Sequence, residues 1–427
     1  MEYFIYPKSG DALTDDEIRA ALLKAAAELR PKKVLLIPPD FSRYYSNAGF
    51  ITNFYYHMFA KHGAEVDVLP ALGSHEPVSR EQSDVMFGDI PYEKLIPHRW
   101  RTDVVKIGEV PAGFLSEVSG GLWNESIAVE INRRVLDPSY DLILSIGQVV
   151  PHEVVGMSNH TKNLFVGTGG SEMINRSHML GAVCGLENMI GRDHTAVRQL
   201  FDYAYEHFLG DRPIQFVLTV TTAPGNQIHT HGLFIGDTRR VLEQAIALSQ
   251  KKNITFLDRS LKKCVVFMDP GEFQSTWIGN KAVYRTRMAI DDGGELIILA
   301  PGIHEFGEDK EIDRLIRKYG YHGTKATMEA LKQPENQDLR DNMGTAAHLI
   351  HASTDGRFSV TYAVKKISRQ AIRDVGFQAA SYDEMAARYN PATLQYGYNT
   401  MPDGEEIFFI PNPALGLWIS RQRFPES

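Results

Sequence analysis

Two imidazoles and an amine fall within one short window, Pro151-His-Glu-Val-Val-Gly-Met-Ser-Asn-His-Thr-Lys162, and His178 follows sixteen residues later. The window comes directly after the apolar run Asp141-Leu-Ile-Leu-Ser-Ile-Gly147, a pattern that predicts a buried strand leading into a functional loop. Histidines with intrinsic pKa values near ~6.5 can trade a proton around neutrality, one as base while the other is acid. A third histidine can ligate a borderline metal, with nickel or copper favoured among divalent ions. A lysine in a glycine-containing loop can bond covalently to an acyl or carbonyl carbon.

Two more polar clusters follow predicted strands. Lys33-Val-Leu-Leu-Ile37 runs into Pro38-Pro-Asp40-Phe-Ser42-Arg43, and Glu65-Val-Asp-Val-Leu69 runs into Pro70-Ala-Leu-Gly73-Ser-His75. Open parallel sheets bind ligands beyond the carboxyl ends of their strands, so the three clusters are expected to share one rim. Taken singly, Asp40 to Arg43 reads as a turn with a surface ion pair, and His75 as a hydrogen-bonded structural residue. Their joint occurrence favours a site. There the Arg43 guanidinium could grip a carboxylate or phosphate with two parallel hydrogen bonds. Gly167-Thr-Gly-Gly170 lacks the endings that mark phosphate loops and reads as a turn into the helix that carries Asn175 to His178.

The elements that must hold these residues alternate as β and α. Strand patterns at 33–37, 65–69, 141–146 and 215–220 are separated by helical stretches such as 15–29, which predicts a mainly parallel sheet covered by helices. A helix over 238–249, capped by Gly236-Asp237, is expected to bridge two lobes. A second set of strands is predicted at 264–268, 295–300, 358–364 and 406–410. The fold class is therefore α/β, with two lobes (1–255 and 256–427), mainly parallel sheets and an active-site crevice between the lobes.

With 427 residues, 43% apolar and 23% charged, the chain has the composition of a soluble two-domain protein. A net charge of -8 and the lack of a Lys/Arg block argue against nucleic-acid binding. No secretory leader or membrane-spanning run is visible, so a cytoplasmic location is expected. Cys184 and Cys264 lack the spacing of a zinc site or disulfide framework and read as small buried side chains. His229 and His231 fall on one face of a strand edge and are assigned to solvent-facing surface, while His57 and His62 are assigned structural roles in a helix.

The constellation resembles the nickel-pincer nucleotide enzymes of the lactate racemase family. Asp40-Phe-Ser-Arg43 stands for the family's Asp-x-Thr-Arg and Gly73-Ser-His75 for its Gly-x-His, with Pro151-His152, Lys162 and His178 in matching order. The resemblance implies a nicotinic acid-derived cofactor whose sulfur arms and ring carbon clamp nickel. It implies that Lys162 is tethered to one arm, that His178 ligates nickel, and that His75 and His152 form the acid/base pair. Asp40, Ser42 and Arg43 would bind the cofactor's nucleotide part or the substrate carboxylate. The implied reaction is inversion of the carbinol carbon of a 2-hydroxy acid by proton-coupled hydride transfer, with cofactor-biosynthesis proteins as partners.

Where lactate racemases have Gly-Gly before the lysine, this chain has Asn159-His160, and the family's Gln-x-x-Lys is matched only as Ile278-Gly-Asn-Lys281. The second change removes a polar contact and makes lactate doubtful, while the polar Asn159-His160 pair suggests a longer sugar acid, with His160, Arg176, Lys281 and His304 as candidate substrate contacts. Two other classes stay open: a metal-dependent hydrolase and a non-catalytic ligand-binding homologue.

Overall fold

The computed structural model describes residues 1–424. The chain separates into two compact units: Met1–Leu180 with Asn188–Asn253, and Gly181–Glu187 with the chain from Ile254 onward. The sequence reading assigned the whole stretch before residue 255 to the first lobe; the short Gly181–Glu187 segment instead groups with the second.

In the first unit, strands Glu65–Val68, Lys33–Ile37, Leu142–Gln148 and Ile214–Thr222 lie side by side and parallel. Two antiparallel strands, His229–Gly236 and then Tyr3–Ile5, extend the sheet beyond Ile214–Thr222. Leu36 sits between Val68 and Leu144 in register, and all three are buried, as near-continuous apolar runs in a doubly covered sheet require. Helices Asp15–Ala25 and Ala48–Lys61 bury Ile18, Leu22, Ile51, Tyr55 and Phe59 in the same core. Each such side chain contributes roughly 1.5–3 kcal/mol by leaving water.

Helix Asp15–Ala25 starts at a capping box in which Thr14 and Glu17 satisfy each other's backbone amides. It stops before the expected residue 29 because Ala26 to Leu29 close a turn ahead of Pro31, whose ring disfavours helical backbone before it. Helix Arg239–Asn253 buries Val241, Leu242, Ala245 and Ile246 and belongs to the first unit. His231 is buried rather than solvent-facing, with Nδ1 2.6 Å from the Asp11 carbonyl and Nε2 2.8 Å from the Thr222 hydroxyl.

The second unit repeats the grammar. Strands Gln378–Ser381, Ser359–Val364, Ile290–Ala300, Leu261–Phe267 and Glu406–Ile410 are parallel neighbours in that order, and Gly397–Thr400 closes the edge antiparallel. No described helix is long and apolar enough to cross a membrane.

One short helix, Thr161–Phe165, is fixed to the first sheet from two sides. The Asn163 amide donates to the Ile37 carbonyl at 3.1 Å and to the Ser145 hydroxyl at 3.0 Å, at the carboxyl ends of the two central strands. The buried Arg198 guanidinium donates to Thr161 Oγ1 at 2.7 Å and to the carbonyls of Met157 and Asn159 at 2.6 and 3.2 Å. Replacing Asn163 strands buried polar groups on both strands. Asn163→Ala is therefore expected to lower the unfolding free energy by about 2 kcal/mol, read as a lower urea midpoint at unchanged slope; an unchanged midpoint contradicts the anchoring role.

Candidate active site

Asp40 follows strand Lys33–Ile37 and caps the turn Phe41–Ser46. Its two carboxylate oxygens are both engaged: Oδ1 accepts from the Ser42 hydroxyl at 2.6 Å and Oδ2 from His75 Nδ1 at 2.5 Å. Burial opposes ionisation of Asp40, but the bonds from His75 and Ser42 and the charge of Arg43 outweigh it and hold the carboxyl below its ordinary value. With Nδ1–H given to a carboxylate, the neutral form of His75 has its lone pair on Nε2. Its side chain is 63% exposed, open to a ligand. Gly73, at φ +58, allows the tight turn before it, and its amide donates to the Gly167 carbonyl at 2.9 Å, tying that turn to the chain after Lys162.

His152 sits on a two-residue strand, Pro151–His152, paired antiparallel with Gly156–Met157. Its Nδ1 accepts the Val154 amide at 3.1 Å, which places the ring proton on Nε2. Burial drives its pKa well below the usual value, helped by the charges of Lys162 and Arg43, so the ring is neutral. The two imidazoles are thus held in complementary tautomers: His75 presents an acceptor at Nε2, His152 a donor.

Lys162 lies in the first turn of helix Thr161–Phe165. Desolvation lowers its amine to about 8; Arg43 and Arg198 push the same way, against the carboxylates of Glu153 and Asp40. A neutral fraction is therefore present near pH 8, as a nucleophilic amine requires. His178, on helix Ser171–Val183, donates Nδ1–H to the Ile174 carbonyl at 2.6 Å. Burial lowers its pKa, leaving a neutral ring with a free Nε2 lone pair, the state and orientation of a metal ligand. Among the described residues no three His, Cys, Asp or Glu side chains are gathered to hold a metal ion, so a metal at His178 needs donors beyond the protein. A sulfur-armed organic cofactor tethered to Lys162 fits that donor set.

The charges of Arg43 and Lys162 bear on His152, that of Lys162 on His178, and those of Arg43 and Asp40 on Lys162, so these groups share one neighbourhood with the Asp40–His75 pair. Glu153 belongs there too. Sequence reading passed over this acid: its Oε2 lies 4.0 Å from His152 Nδ1, and its charge raises the pKa values of His152, Lys162 and His178. Its only signal in the sequence is adjacency to His152.

Of the four remaining candidates, His160 and Arg176 belong to the first unit and Lys281 and His304 to the second. His160 is turned into the core, stacked on Phe216 at 3.7 Å and 2% exposed, which leaves no ring edge for substrate. Asn159 and His160 both have positive φ, 64° and 57°, the backbone that a Gly-Gly pair would adopt without strain. Here the Asn159 carboxamide accepts the His160 amide at 2.7 Å, and Gly147 leaves the space that the Asn159 side chain fills. Arg176 is held in ion pairs with Glu125 and Glu172. Lys281 opens helix Lys281–Thr286 and His304 follows strand Ile290–Ala300, both in the second unit.

The glycine run 167–170 is a turn and not a phosphate cradle. A Cβ on Gly169 would fall 1.8 Å from the Phe165 carbonyl, and one on Gly170 would fall 2.1 Å from Glu130, whose carboxylate already accepts the Glu172 amide at 3.0 Å.

Residues 11–189 match the family model of the lactate racemase N-terminal domain. The matched span lies in the first unit apart from the Gly181–Glu187 segment. Among solved structures, a crystal structure of a Thermotoga maritima protein aligns over 96% of this chain and 99% of its own at 23% identity, with a TM-score of 0.78. The lactate racemase apoprotein from Thermoanaerobacterium thermosaccharolyticum aligns over 93% of this chain and 88% of its own at 16% identity, with a TM-score of 0.69, so the fold is shared along nearly the whole length. No curated protein matches.

Because Arg43 disfavours the ammonium form of Lys162, removing its charge must move the amine's titration upward. In protein made without cofactor, wild-type Lys162 is expected to acylate with a midpoint near pH 8, followed by peptide mass spectrometry. Arg43→Gln should move that midpoint up and slow labelling at pH 8 severalfold. Identical profiles would place Arg43 away from the amine.

Proposed function

We propose that this protein is a racemase or epimerase that inverts the carbinol carbon of a 2-hydroxy acid, with a nickel-pincer nucleotide tethered to Lys162. The lactate racemase N-terminal domain supports the class, and one observation carries the chemistry: His75 and His152 hold complementary tautomers beside an amine that is easily neutral. When bound, the cofactor supplies an acceptor for hydride from the carbinol carbon.

The protein supplies the proton steps. His75 Nε2 takes the hydroxyl proton, and the Asp40 carboxylate behind Nδ1 stabilises the imidazolium that forms, as the acid of a catalytic triad does. His152, neutral with its proton on Nε2, donates a hydrogen bond to the substrate oxygen and keeps that proton, while the imidazolium of His75 returns its own proton to the oxygen when hydride comes back, so the proton balance closes on His75. Arg43 grips a carboxylate or phosphate, and His178 Nε2 ligates nickel. Asp40 and Ser42 act by orienting His75, in place of the cofactor contact inferred from sequence.

A longer polyol acid is placed ahead of lactate as substrate. The Glu153 carboxylate beside His152 supplies an acceptor for an additional hydroxyl, in place of the buried His160.

Protein from a host that builds the cofactor is expected to show an adduct on Lys162 by intact mass, one equivalent of nickel, and faster inversion of sugar acids than of lactate. Zinc without an adduct, together with hydrolysis, would indicate the hydrolase; neither metal nor adduct would indicate a binding homologue. His75→Ala and His152→Ala should each abolish inversion while keeping the adduct, and Asp40→Asn should lower kcat by roughly a hundredfold or more. Full turnover in either alanine variant contradicts the assignment.

A further inference from the structure

Many arginines of this acidic chain lie against carboxylates: Arg239 against Asp193 and Asp202, Arg357 against Glu187 and Asp292, Arg388 against Asp403 and Glu405. Arg99, Arg133 and Arg134 depart from that rule. All three line one cavity of about 250 Å³ in the first unit, together with Asp103 and Asn132. Among the described residues, no carboxylate oxygen lies within 4.0 Å of any of the three guanidinium groups.

The single acid in the lining is turned to the backbone: Asp103 Oδ2 accepts the Arg99 amide at 3.2 Å, and Oδ1 lies 3.4 Å from the Thr102 hydroxyl. Arg133 is fixed by carbonyls, with Nη2 donating to Thr102 at 2.7 Å and Nε to Asp103 at 3.4 Å, so its position is set without neutralising its charge. Three like charges around one hollow repel each other unless an anion joins them, and each planar guanidinium offers paired donors that match oxyanion geometry.

The floor is rigid. Asn132 is 1% exposed, and its carboxamide donates to His98 Nδ1 at 2.9 Å. His98 Nε2 donates to the Gly169 carbonyl at 3.0 Å, and the Asn132 amide donates to the Thr168 carbonyl at 2.7 Å. Both bonds end on the turn that joins the helix of Lys162 to the helix of His178. None of Asp40, Arg43, His75, His152, Lys162 or His178 lines the hollow.

We propose that this cavity is a second ligand site that binds a small phosphate-bearing molecule through Arg99, Arg133 and Arg134. The volume lies just below the roughly 300–1,000 Å³ usual for ligand pockets, which suits a phosphate on a short carbon skeleton and not a dinucleotide. The site stands independently of the racemase reading, and its test needs no turnover.

Full-length protein made without cofactor is titrated calorimetrically with inorganic phosphate and, separately, with citrate. Phosphate is expected to bind at one site, tenfold or more tightly than citrate. The double variant Arg99→Gln/Arg134→Gln should weaken phosphate at least tenfold at unchanged Tm, while the exposed Arg369→Gln, outside both sites, should bind within twofold of wild type. No phosphate heat at millimolar concentration, equal binding of citrate, full binding by the double variant, or loss of binding in Arg369→Gln would each overturn the proposal.

Discussion

An amine and two imidazoles are desolvated beside a guanidinium, and the other features of the site follow from that arrangement. A group removed from water resists charging, and a fixed cation nearby strengthens the resistance. Burial pushes the Lys162 amine down to about 8 and lowers the pKa values of His152 and His178, with the charge of Arg43 acting the same way on Lys162 and His152, so both rings stay neutral. Neutrality is what each proposed role needs: a nucleophilic amine, a ring donating Nε2–H, and a ring with a bare lone pair. Solvent exposure would return the amine and imidazoles to their ordinary values and leave a polar loop with no directed chemistry.

The fold enforces this environment by pinning a single short helix. Thr161–Phe165 crosses the carboxyl ends of strands Lys33–Ile37 and Leu142–Gln148 through Asn163, and Arg198 holds its start from behind. The same strand ends deliver Asp40 and, by way of a tight hairpin, His152. The Gly73–Gly167 bond then brings the turn carrying His75 to the chain leaving that helix. A parallel sheet gathers residues far apart in sequence at one rim, and hydrogen bonds from that rim set the tautomer of each ring.

The central strands and the clustering of Asp40, Arg43, His152 and Lys162 were legible because apolar runs and the polar residues ending them are local signals. Orientation was not. Asn159-His160 read as polar decoration of the pocket, yet both residues adopt left-handed backbone and His160 packs on Phe216, a contact set by a strand more than fifty residues away. The pairing of Asp40 with His75, thirty-five residues on, was not legible because nothing local marks it. Helix Arg239–Asn253 was seen as a helix, but amphipathicity marks an apolar face without naming the sheet that covers it.

The central claim is that Lys162 and His178 grip one nickel-bearing group while His75 and His152 stand beside it. Anomalous diffraction at the nickel edge from crystals of the loaded protein tests this most directly. The account predicts a single nickel peak within coordination distance of His178 Nε2, with continuous density from the Lys162 amine and both catalytic rings around the same hollow. A nickel site away from His178, or a Lys162 amine ending free beside a bound cofactor, would contradict it.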